Sequence, residues 1–320
     1  MKIAITGGGG FLGRRLAALL LGDAGVEEVV LADVSAAAPP GDDPRLVSRE
    51  VNLSDPGAAA SVARGADVIY HLAAVVSGQA EAEFDLGMRV NVDATRALLE
   101  AARSMGRRPR FVFASSLAVF GPPLPAVVTD RTAVAPRSSY GTQKAMAELL
   151  ICDYSRRGFV DGRVLRLPTV CVRPGRPNAA ASSFVSAIIR EPLHGERANC
   201  PVGRAQELWL SSPATAVANL AHGAALPPDA LGSERTVNLP GFTVTIGEMI
   251  AALERVAGPA VAARIDFGDV PAVRQIVSGW PSRFDVERAL SLGFRRDAHF
   301  EALVRAFIGD GEAEKGLRRA

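Results

Sequence analysis

A tyrosine and a lysine lie four residues apart, at Tyr140 and Lys144. The chain holds only three tyrosines and three lysines against 33 arginines, so random placement would give about 0.03 such pairs. On a helix this spacing puts both side chains on one face, within reach of one bound molecule. A free tyrosine titrates near pH ~10 and is a slow base at neutral pH unless positive charge stabilises its phenolate. The ammonium of Lys144 would supply that charge, which indicates a tyrosine that acts as acid and base.

Two serines, Ser115 and Ser116, end a predicted strand upstream of this pair. A hydroxyl at that place could hold a reacting oxygen beside Tyr140, or it could simply bond local backbone. Neighbouring residues of a strand point to opposite faces, so both hydroxyls cannot enter the same crevice. We therefore expect one of the two serines to be structural.

A glycine-rich loop lies near the amino terminus, where residues 6–13 read Thr-Gly-Gly-Gly-Gly-Phe-Leu-Gly between a predicted strand and a predicted helix. In that context glycines let backbone N–H groups approach the pyrophosphate of a dinucleotide. The loop fits the spacing G-x-G-x-x-G from Gly8 and a wider glycine spacing from Gly7. The residues predicted to contact the cofactor here are Gly7, Gly10, Phe11, Leu12 and Gly13.

An acidic residue, Asp33, ends the second predicted strand, 20 positions after Gly13. A carboxylate there can accept hydrogen bonds from the adenosine ribose hydroxyls and would repel a 2′-phosphate. Val34, Ser35 and the alanines that follow offer no arginine to neutralise such a phosphate, so the sequence favours NAD over NADP. The alternative is that Asp33 only caps a turn.

Two further segments follow predicted strands at the edge where the ligand crevice of a parallel sheet opens. We expect Asn52 and Leu53 to line the adenine, and Leu72, Ala73 and Ala74 to line the nicotinamide ribose. His71, in the same segment, is better interpreted as a core histidine with satisfied hydrogen bonds than as a catalytic one.

The elements that must position these residues alternate between strands and helices, which predicts a doubly wound α/β fold of Rossmann type. Predicted strands cover 2–6, 28–32, 46–51, 67–72, 110–114 and 163–167, and predicted helices cover 12–21, 56–64, 84–105 and 140–157. Beyond Pro168 the rhythm becomes irregular. We expect an NAD-binding domain over 1–168 and a smaller substrate-binding lobe over 169–320, interleaved through a helix near 214–225 that returns to the first domain.

Composition excludes several other classes of protein. Hydrophobic residues make up 48% of the chain, enough for a substantial core, and the net charge of +2 gives no reason to expect nucleic acid or an anionic membrane as a partner. Cys152, Cys171 and Cys200 have no paired spacing that would indicate disulfides or a zinc site. No signal peptide and no apolar stretch of about 20 residues is visible, so we expect a cytoplasmic protein without a bound metal.

These motifs together resemble an extended short-chain dehydrogenase. The resemblance extends over nearly the whole chain and also rests on Asn91 in Val-Asn-Val and on the run Ser-Ser-x-x-Val-Phe-Gly. It implies a catalytic triad of Ser116, Tyr140 and Lys144, with Asn91 as a structural helix residue near the site and Pro168 among the cofactor contacts. Phe120 replaces the tyrosine that is usual in the family, a change that should matter little to catalysis.

Many extended members are nucleotide-sugar epimerases or dehydratases, but two stretches depart from them. After the sixth strand, where such epimerases carry an asparagine that holds the substrate diphosphate, this chain has Pro168-Thr169. A later Val-Asp-Asp motif appears as Leu-Ser-Ser-Pro at 210–213. These stretches, with residues 173–175 and 178–192, are similar to D-erythronate dehydrogenases.

The resemblance therefore implies NAD-dependent oxidation of the C2 hydroxyl of a short sugar acid, D-erythronate to 2-keto-D-erythronate. A short polyhydroxy acid needs a cationic fork for its carboxylate and small polar side chains for its hydroxyls. Besides Ser116 and Tyr140, the substrate candidates are Ser77, Thr169, Arg173 and Asn178. A homodimer is common among relatives. The alternatives are a nucleotide-sugar 4-epimerase or dehydratase, and a non-catalytic NAD-sensing protein.

Overall fold

The computed structural model describes residues 1–35, 41–175 and 180–317 and is built around a seven-stranded sheet. All neighbouring strands of this sheet are parallel, in the order β10-β6-β5-β4-β1-β2-β3. The strands of the described chain are β1 Lys2–Thr6, β2 Glu28–Asp33, β3 Leu46–Glu50, β4 Val68–His71, β5 Arg110–Ser116, β6 Asp161–Leu167, β7 Thr169–Val170, β8 Ala198–Cys200, β9 Glu207–Ser211, β10 Thr236–Asn238, β11 Phe242–Thr245 and β12 Ile265–Phe267. The predicted Rossmann-type fold is confirmed, and each of the six predicted strands is found within two residues of its expected ends.

Helices cover both faces of the sheet. They are α1 Phe11–Leu20, α2 Ala58–Ala63, α3 Ser77–Ala82, α4 Phe84–Gly87, α5 Ala94–Ser104, α6 Ser139–Arg156, α7 Ser183–Leu193, α8 Pro213–Ala225, α9 Ile246–Ala257, α10 Pro259–Ala262, α11 Pro271–Val277, α12 Glu287–Ser291 and α13 Phe300–Leu317. Side chains alternate along each strand, so Ile3 and Ile5 of β1 pack with α1 and α8 on one face. Ala4 packs with α2, α5 and α6 on the other.

The prediction of one continuous helix over 84–105 is wrong. The structure divides it into α4, a π-helical segment at Met88–Asp93, and α5. Inside the π-helical segment, Asn91 turns its amide toward the chain at Val75, where Oδ1 accepts from the backbone N–H at 2.8 Å. Such wide turns inside helices occur mostly near functional sites.

The chain beyond residue 168 contributes to two cores. Strand β10 pairs with β6 at the edge of the main sheet, and α8 packs on α1, β5 and β6. A second apolar core lies between α7, α9 and α13 and the small sheets formed by β7, β8, β9, β11 and β12. Its role as a substrate-binding lobe remains a prediction. Among the described helices, none is long and apolar enough to cross a membrane.

Candidate active site

The glycine loop joins β1 to α1 by a backbone that leaves no room for side chains. Gly7 has φ +67°, and a Cβ atom there would lie 2.7 Å from the backbone nitrogen of Ala73. A Cβ on Gly13 would lie 2.5 Å from the Gly7 carbonyl oxygen. No side chain caps the amino end of α1 at Gly10. The first N–H groups of α1 are therefore open to an anionic group, which fits the pyrophosphate of a dinucleotide.

Asp33 lies beside this loop. Its Oδ2 accepts a hydrogen bond from the Gly9 backbone at 2.9 Å, and Oδ1 accepts from the Val34 backbone at 2.8 Å. The carboxylate is therefore fixed at the carboxyl end of β2, next to the turn that opens α1. Its contact with the adenosine ribose remains a prediction.

The structure does not bring Asn52 and Leu53 to the cavity that gathers the other predicted residues. Asn52 is exposed, and its amide donates to Asp55 and accepts from the backbone of Ser54, which closes a local turn. Leu53 is buried in the core beneath α2. The sequence predicts both residues at the crevice because they follow a strand. In the structure, the Asn52 amide makes local hydrogen bonds instead.

A cavity of about 320 Å³ opens at the carboxyl edge of the sheet. The predicted residues that line it are Gly7, Gly10, Phe11, Leu12, Gly13, Leu72, Ala74, Ser77, Ser116, Tyr140, Lys144, Pro168, Thr169 and Arg173. It is also lined by residues that the sequence did not predict for the site, namely Val76, Ala114, Ser115, Leu117, Ala118, Leu167, Val170, Ala180, Ser182 and Trp280. Most of the missed residues adjoin predicted ones, whereas Trp280 lies more than 100 positions from Arg173 and had no sequence signal.

Tyr140 lies in the first turn of α6, and Lys144 follows one turn later. The Lys144 ammonium donates to the Ala114 carbonyl at 2.9 Å and lies 5.7 Å from the centre of the Tyr140 ring. Burial raises the pKa of Tyr140 to about 12, against the opposing effects of the Ser116 hydroxyl and the Arg173 charge. Burial lowers the pKa of Lys144 to about 7, against the attraction of Glu148.

The two serines at the end of β5 have different surroundings. Ser115 is buried, and its hydroxyl donates to Glu148 Oε1 at 2.5 Å. The Ser116 oxygen accepts from the Ala118 backbone at 3.2 Å and borders the cavity beside Tyr140. Ser115 also borders the cavity, but its hydroxyl hydrogen is donated to Glu148, as expected if one of the pair is structural. The Ser116 hydroxyl has no carboxylate acceptor among the described residues and is the better candidate to donate to a ligand.

His71 and Asn91 support the cavity from behind. His71 is fully buried, its two ring nitrogens bond the hydroxyls of Thr6 and Thr95 at 2.7 and 2.8 Å, and its interpretation as a core histidine is confirmed. Asn91 donates to the Val75 carbonyl and to Gln143, and it is 2% exposed. Asn91 and Ala73 are not among the residues that line the cavity. They hold the segments that form its lining.

Four side chains were predicted to contact the substrate in addition to Ser116 and Tyr140. Ser77 lines the cavity and accepts from the Ala181 backbone at 3.0 Å, and Thr169 lines it from β7. Arg173 lines it too, whereas Asn178 lies outside the described residues.

The backbone of Arg173 is held by α7. Its N–H donates to Ser186 at 3.0 Å, and its carbonyl accepts from Arg190 at 2.8 Å. Within the described part of the chain no carboxylate pairs with the Arg173 guanidinium. Burial lowers the pKa of Arg173, and the nearby charge of Arg190 adds to that effect. An anion in the cavity would find a fixed, partly dehydrated cation there.

Comparison with known proteins places this geometry in a family. Residues 3–211 match the model of the NAD dependent epimerase/dehydratase family. The chain is 54% identical to the D-erythronate dehydrogenase of Cupriavidus necator (98% of this chain, 100% of the relative) and 51% identical to that of Haemophilus influenzae (96% and 99%). A crystal structure described as the nucleoside-diphosphate-sugar epimerase from Agrobacterium tumefaciens superimposes with a TM-score of 0.91 at 44% identity, covering 97% of this chain and 94% of the other.

The match therefore confirms the resemblance drawn from the glycine loop and the Tyr140–Lys144 spacing, and it confirms NAD as the cofactor. No group of metal-ligating side chains is found among the described residues. The chain belongs to the NAD dependent epimerase/dehydratase family and is an NAD-dependent dehydrogenase.

Proposed function

We propose that this enzyme oxidises the C2 hydroxyl of a short sugar acid, D-erythronate to 2-keto-D-erythronate, with Tyr140 as the proton acceptor. The observation that carries the proposal is the Arg173 guanidinium. It borders the same cavity as Tyr140 and Ser116 and has no carboxylate partner among the described residues. The names of the two full-length relatives at 54% and 51% identity agree with an acid substrate.

Tyr140 carries out the proton transfer from the substrate. Tyr140 first loses its own proton, and its phenolate oxygen then takes the proton of the substrate C2 hydroxyl, while Ser116 donates a hydrogen bond to the same substrate oxygen and holds it in place. Lys144 stabilises the phenolate form of Tyr140 through its positive charge and can donate to the ribose hydroxyls of the cofactor. Because Lys144 is itself held by the Ala114 carbonyl at 2.9 Å, its ammonium needs little rearrangement to serve both partners.

NAD, when bound, accepts the hydride that leaves C2. The glycine loop and the open amino end of α1 would hold the pyrophosphate of this cofactor, and Asp33 would accept hydrogen bonds from the adenosine ribose. Leu72, Ala74 and Pro168, which line the cavity, would contact the nicotinamide half.

The substrate carboxylate is assigned to Arg173, because a planar guanidinium can bind both carboxylate oxygens at once. The side chains of Ser77, Thr169 and Ser116 remain for the hydroxyl groups. Asn178 stays a candidate for the same purpose.

Two alternatives lead to different behaviour. A nucleotide-sugar 4-epimerase or dehydratase would need a cleft for a nucleoside diphosphate and would retain its NAD through the cycle; the Agrobacterium structure is described as a nucleoside-diphosphate-sugar epimerase. A non-catalytic NAD-sensing protein would not need the proton-transfer groups, yet Ser116, Tyr140 and Lys144 all border the cavity.

Free NADH is expected to accumulate stoichiometrically when the purified enzyme is given NAD and D-erythronate. A site that hydrogen-bonds each hydroxyl of its substrate can reject analogues by about 10⁴-fold, because a missing group leaves buried partners unpaired. The measurement is absorbance of released NADH with a panel of four- to six-carbon aldonic acids, run beside UDP-galactose as the epimerase substrate. Tightly retained NAD with interconversion of UDP-sugars, and no reaction with aldonic acids, would overturn the proposal.

Replacing Asp33 with alanine is expected to weaken NAD binding by about 10- to 100-fold and to narrow its advantage over NADP, because a charged hydrogen-bond partner is lost along with its repulsion of a 2′-phosphate. Dissociation constants of both cofactors for wild type and variant provide the measurement. Asp23→Ala is the matched control, since Asp23 also caps a turn by accepting from the Gly25 backbone but lies elsewhere. If the wild type uses NADP as efficiently as NAD, Asp33 does not determine cofactor selection.

A further inference from the structure

A buried ion pair lies directly behind the catalytic cavity. Arg166 of β6 binds both carboxylate oxygens of Glu148 on α6, with Nε to Oε1 at 2.9 Å and Nη2 to Oε2 at 2.7 Å. The two side chains are 6% and 4% exposed. Dehydrating such a pair costs about as much as the attraction returns, so an apolar pair of the same volume would serve stability equally well. The position of the pair next to the cavity therefore indicates a role other than stability.

The pair is connected to both sides of the catalytic apparatus. Glu148 follows Lys144 by one turn of α6, and it accepts the hydroxyl hydrogen of Ser115 at 2.5 Å, next to Ser116. Lys144 in turn donates to Ala114, the residue before Ser115, at 2.9 Å. Helix α6 and the carboxyl end of β5 are thus joined by two neighbouring bonds, one from Lys144 and one to Glu148. These bonds fix the distance between Ser116 and the face of α6 that carries Tyr140.

Arg166 anchors the carboxylate on its other side. Its guanidinium lies 4.7 Å from the centre of the Phe120 ring, and Nη1 reaches Asn238 Oδ1 on β10 at 3.4 Å. Glu148 is therefore held between β5, β6 and α6, and its negative charge cannot move away from Lys144.

The charge around Lys144 is set by groups from several elements. Tyr140 and Glu148 face it from α6, His71 lies near it on β4, and Arg166 lies behind Glu148 on β6. Burial lowers the pKa of His71 to about 3, so this ring stays neutral while Lys144 titrates. Glu148 is the negative charge in this set, and it opposes the loss of the Lys144 proton that burial favours.

We propose that Glu148 and Arg166 form a positioning pair, which opposes the loss of the Lys144 proton and holds Ser116 in register with α6. The inference rests on the proposed function for the roles of Ser116, Tyr140 and Lys144. For Lys144 the consequence concerns NAD, whose ribose hydroxyls gain from a cation at this position. A residue that acts through another group should change the pH dependence of binding, whereas a purely structural residue should lower affinity equally at every pH.

The test is the dissociation constant of NAD as a function of pH for wild type and Glu148→Gln. Glutamine keeps an oxygen for Ser115 but removes the charge, so Lys144 should lose its proton at lower pH. We call the pH above which NAD affinity falls the alkaline limit of NAD affinity. In Glu148→Gln this limit is expected to move down by about one pH unit. Since an unpaired Arg166 could prevent folding, the double variant Glu148→Gln/Arg166→Met is measured as well. A smaller shift in the same direction is expected, because the Arg166 charge is removed too. Glu148→Asp keeps the charge and should restore most of the wild-type limit.

Asp161→Asn is the matched control. Asp161 is a buried carboxylate at the amino end of β6 that pairs with Arg163 at 2.7 Å and Arg235 at 3.0 Å, so its loss should cost stability without moving the alkaline limit. A uniform loss of affinity in the Glu148 variants, or an NAD affinity of the wild type that does not change with pH, would overturn the inference. Failure of D-erythronate as substrate would not affect this result, because it is read from NAD binding alone.

Discussion

Tyr140→Phe is expected to lower turnover by about 10²- to 10⁴-fold while NAD still binds with nearly wild-type affinity. The substitution removes the hydroxyl that takes the C2 proton, and positioned acid/base groups contribute rates of that order. The ring remains and keeps its packing beside the Lys144 ammonium, 5.7 Å from the ring centre in the wild type. Steady-state kinetics with D-erythronate and a separate titration with NAD distinguish the two effects.

Tyr154→Phe is the control for this variant. Tyr154 lies on the same helix, α6, and its hydroxyl donates to Glu100 on α5, away from the cavity. It should leave turnover unchanged. Wild-type turnover in Tyr140→Phe would remove tyrosine from the mechanism, and a parallel loss of NAD affinity would mean that the phenol serves binding instead.

The pH dependence of the oxidation rate is a second test of Tyr140 as the base. Since burial raises the pKa of Tyr140 to about 12 in the absence of ligands, the phenol is protonated at neutral pH. A base that must first lose its proton becomes more effective as pH rises, so the rate of oxidation should increase with pH on its acid side. Tyr140→Phe should lose that increase. The comparison is a pH profile of turnover for both proteins at saturating substrate.

The parts of the site that the sequence predicted are those in which neighbours along the chain become neighbours in space. Tyr140 and Lys144 are one helical turn apart, Gly7 and Gly10 lie in the turn between β1 and α1, and Gly13 lies in the first turn of α1. Local spacing determines such contacts, since 3.6 residues complete a turn and glycine alone tolerates the close approach at Gly7. The strands at the centre of the sheet could be predicted because they are short, apolar and separated by helices.

Other parts could not be predicted because they depend on contacts between distant segments. Strand β10 is only three residues long, and pairing with β6 alone identifies it as part of the main sheet. Trp280 reaches the cavity from a segment after α11, which no local pattern connects with Tyr140. The contact of Asn52 with the adenine stays a prediction; in the structure its amide bonds Asp55 and Ser54, contacts that its position after a strand did not indicate. The Glu148–Arg166 pair also became visible only when α6 and β6 were placed side by side.

Arg173→Gln is expected to lower kcat/KM for D-erythronate by about 10²-fold or more, equivalent to about 3 kcal/mol, because it removes the positive charge from one side of a partly buried charge pair. The variant should fold normally, since the contacts of Arg173 with Ser186 and Arg190 are made by its backbone and survive the substitution. NAD affinity should change little. Arg173→Lys should recover part of the loss, because it restores the charge without the planar fork.

A neutral substrate provides the decisive comparison for Arg173. Erythritol offers the same hydroxyl chemistry without a carboxylate. Arg173→Gln should therefore lower its slow oxidation far less than that of D-erythronate, only through the loss of the Arg173 charge that lowers the pKa of Tyr140. Arg137→Gln is the matched variant, since Arg137 lines a neighbouring cavity and donates to the Pro122 carbonyl at 2.7 Å. If Arg137→Gln and not Arg173→Gln loses activity specifically toward the acid, the carboxylate lies in that neighbouring cavity. An equal loss with erythritol and erythronate in Arg173→Gln would mean that Arg173 does not bind the carboxylate, because that role predicts a much larger loss with the acid.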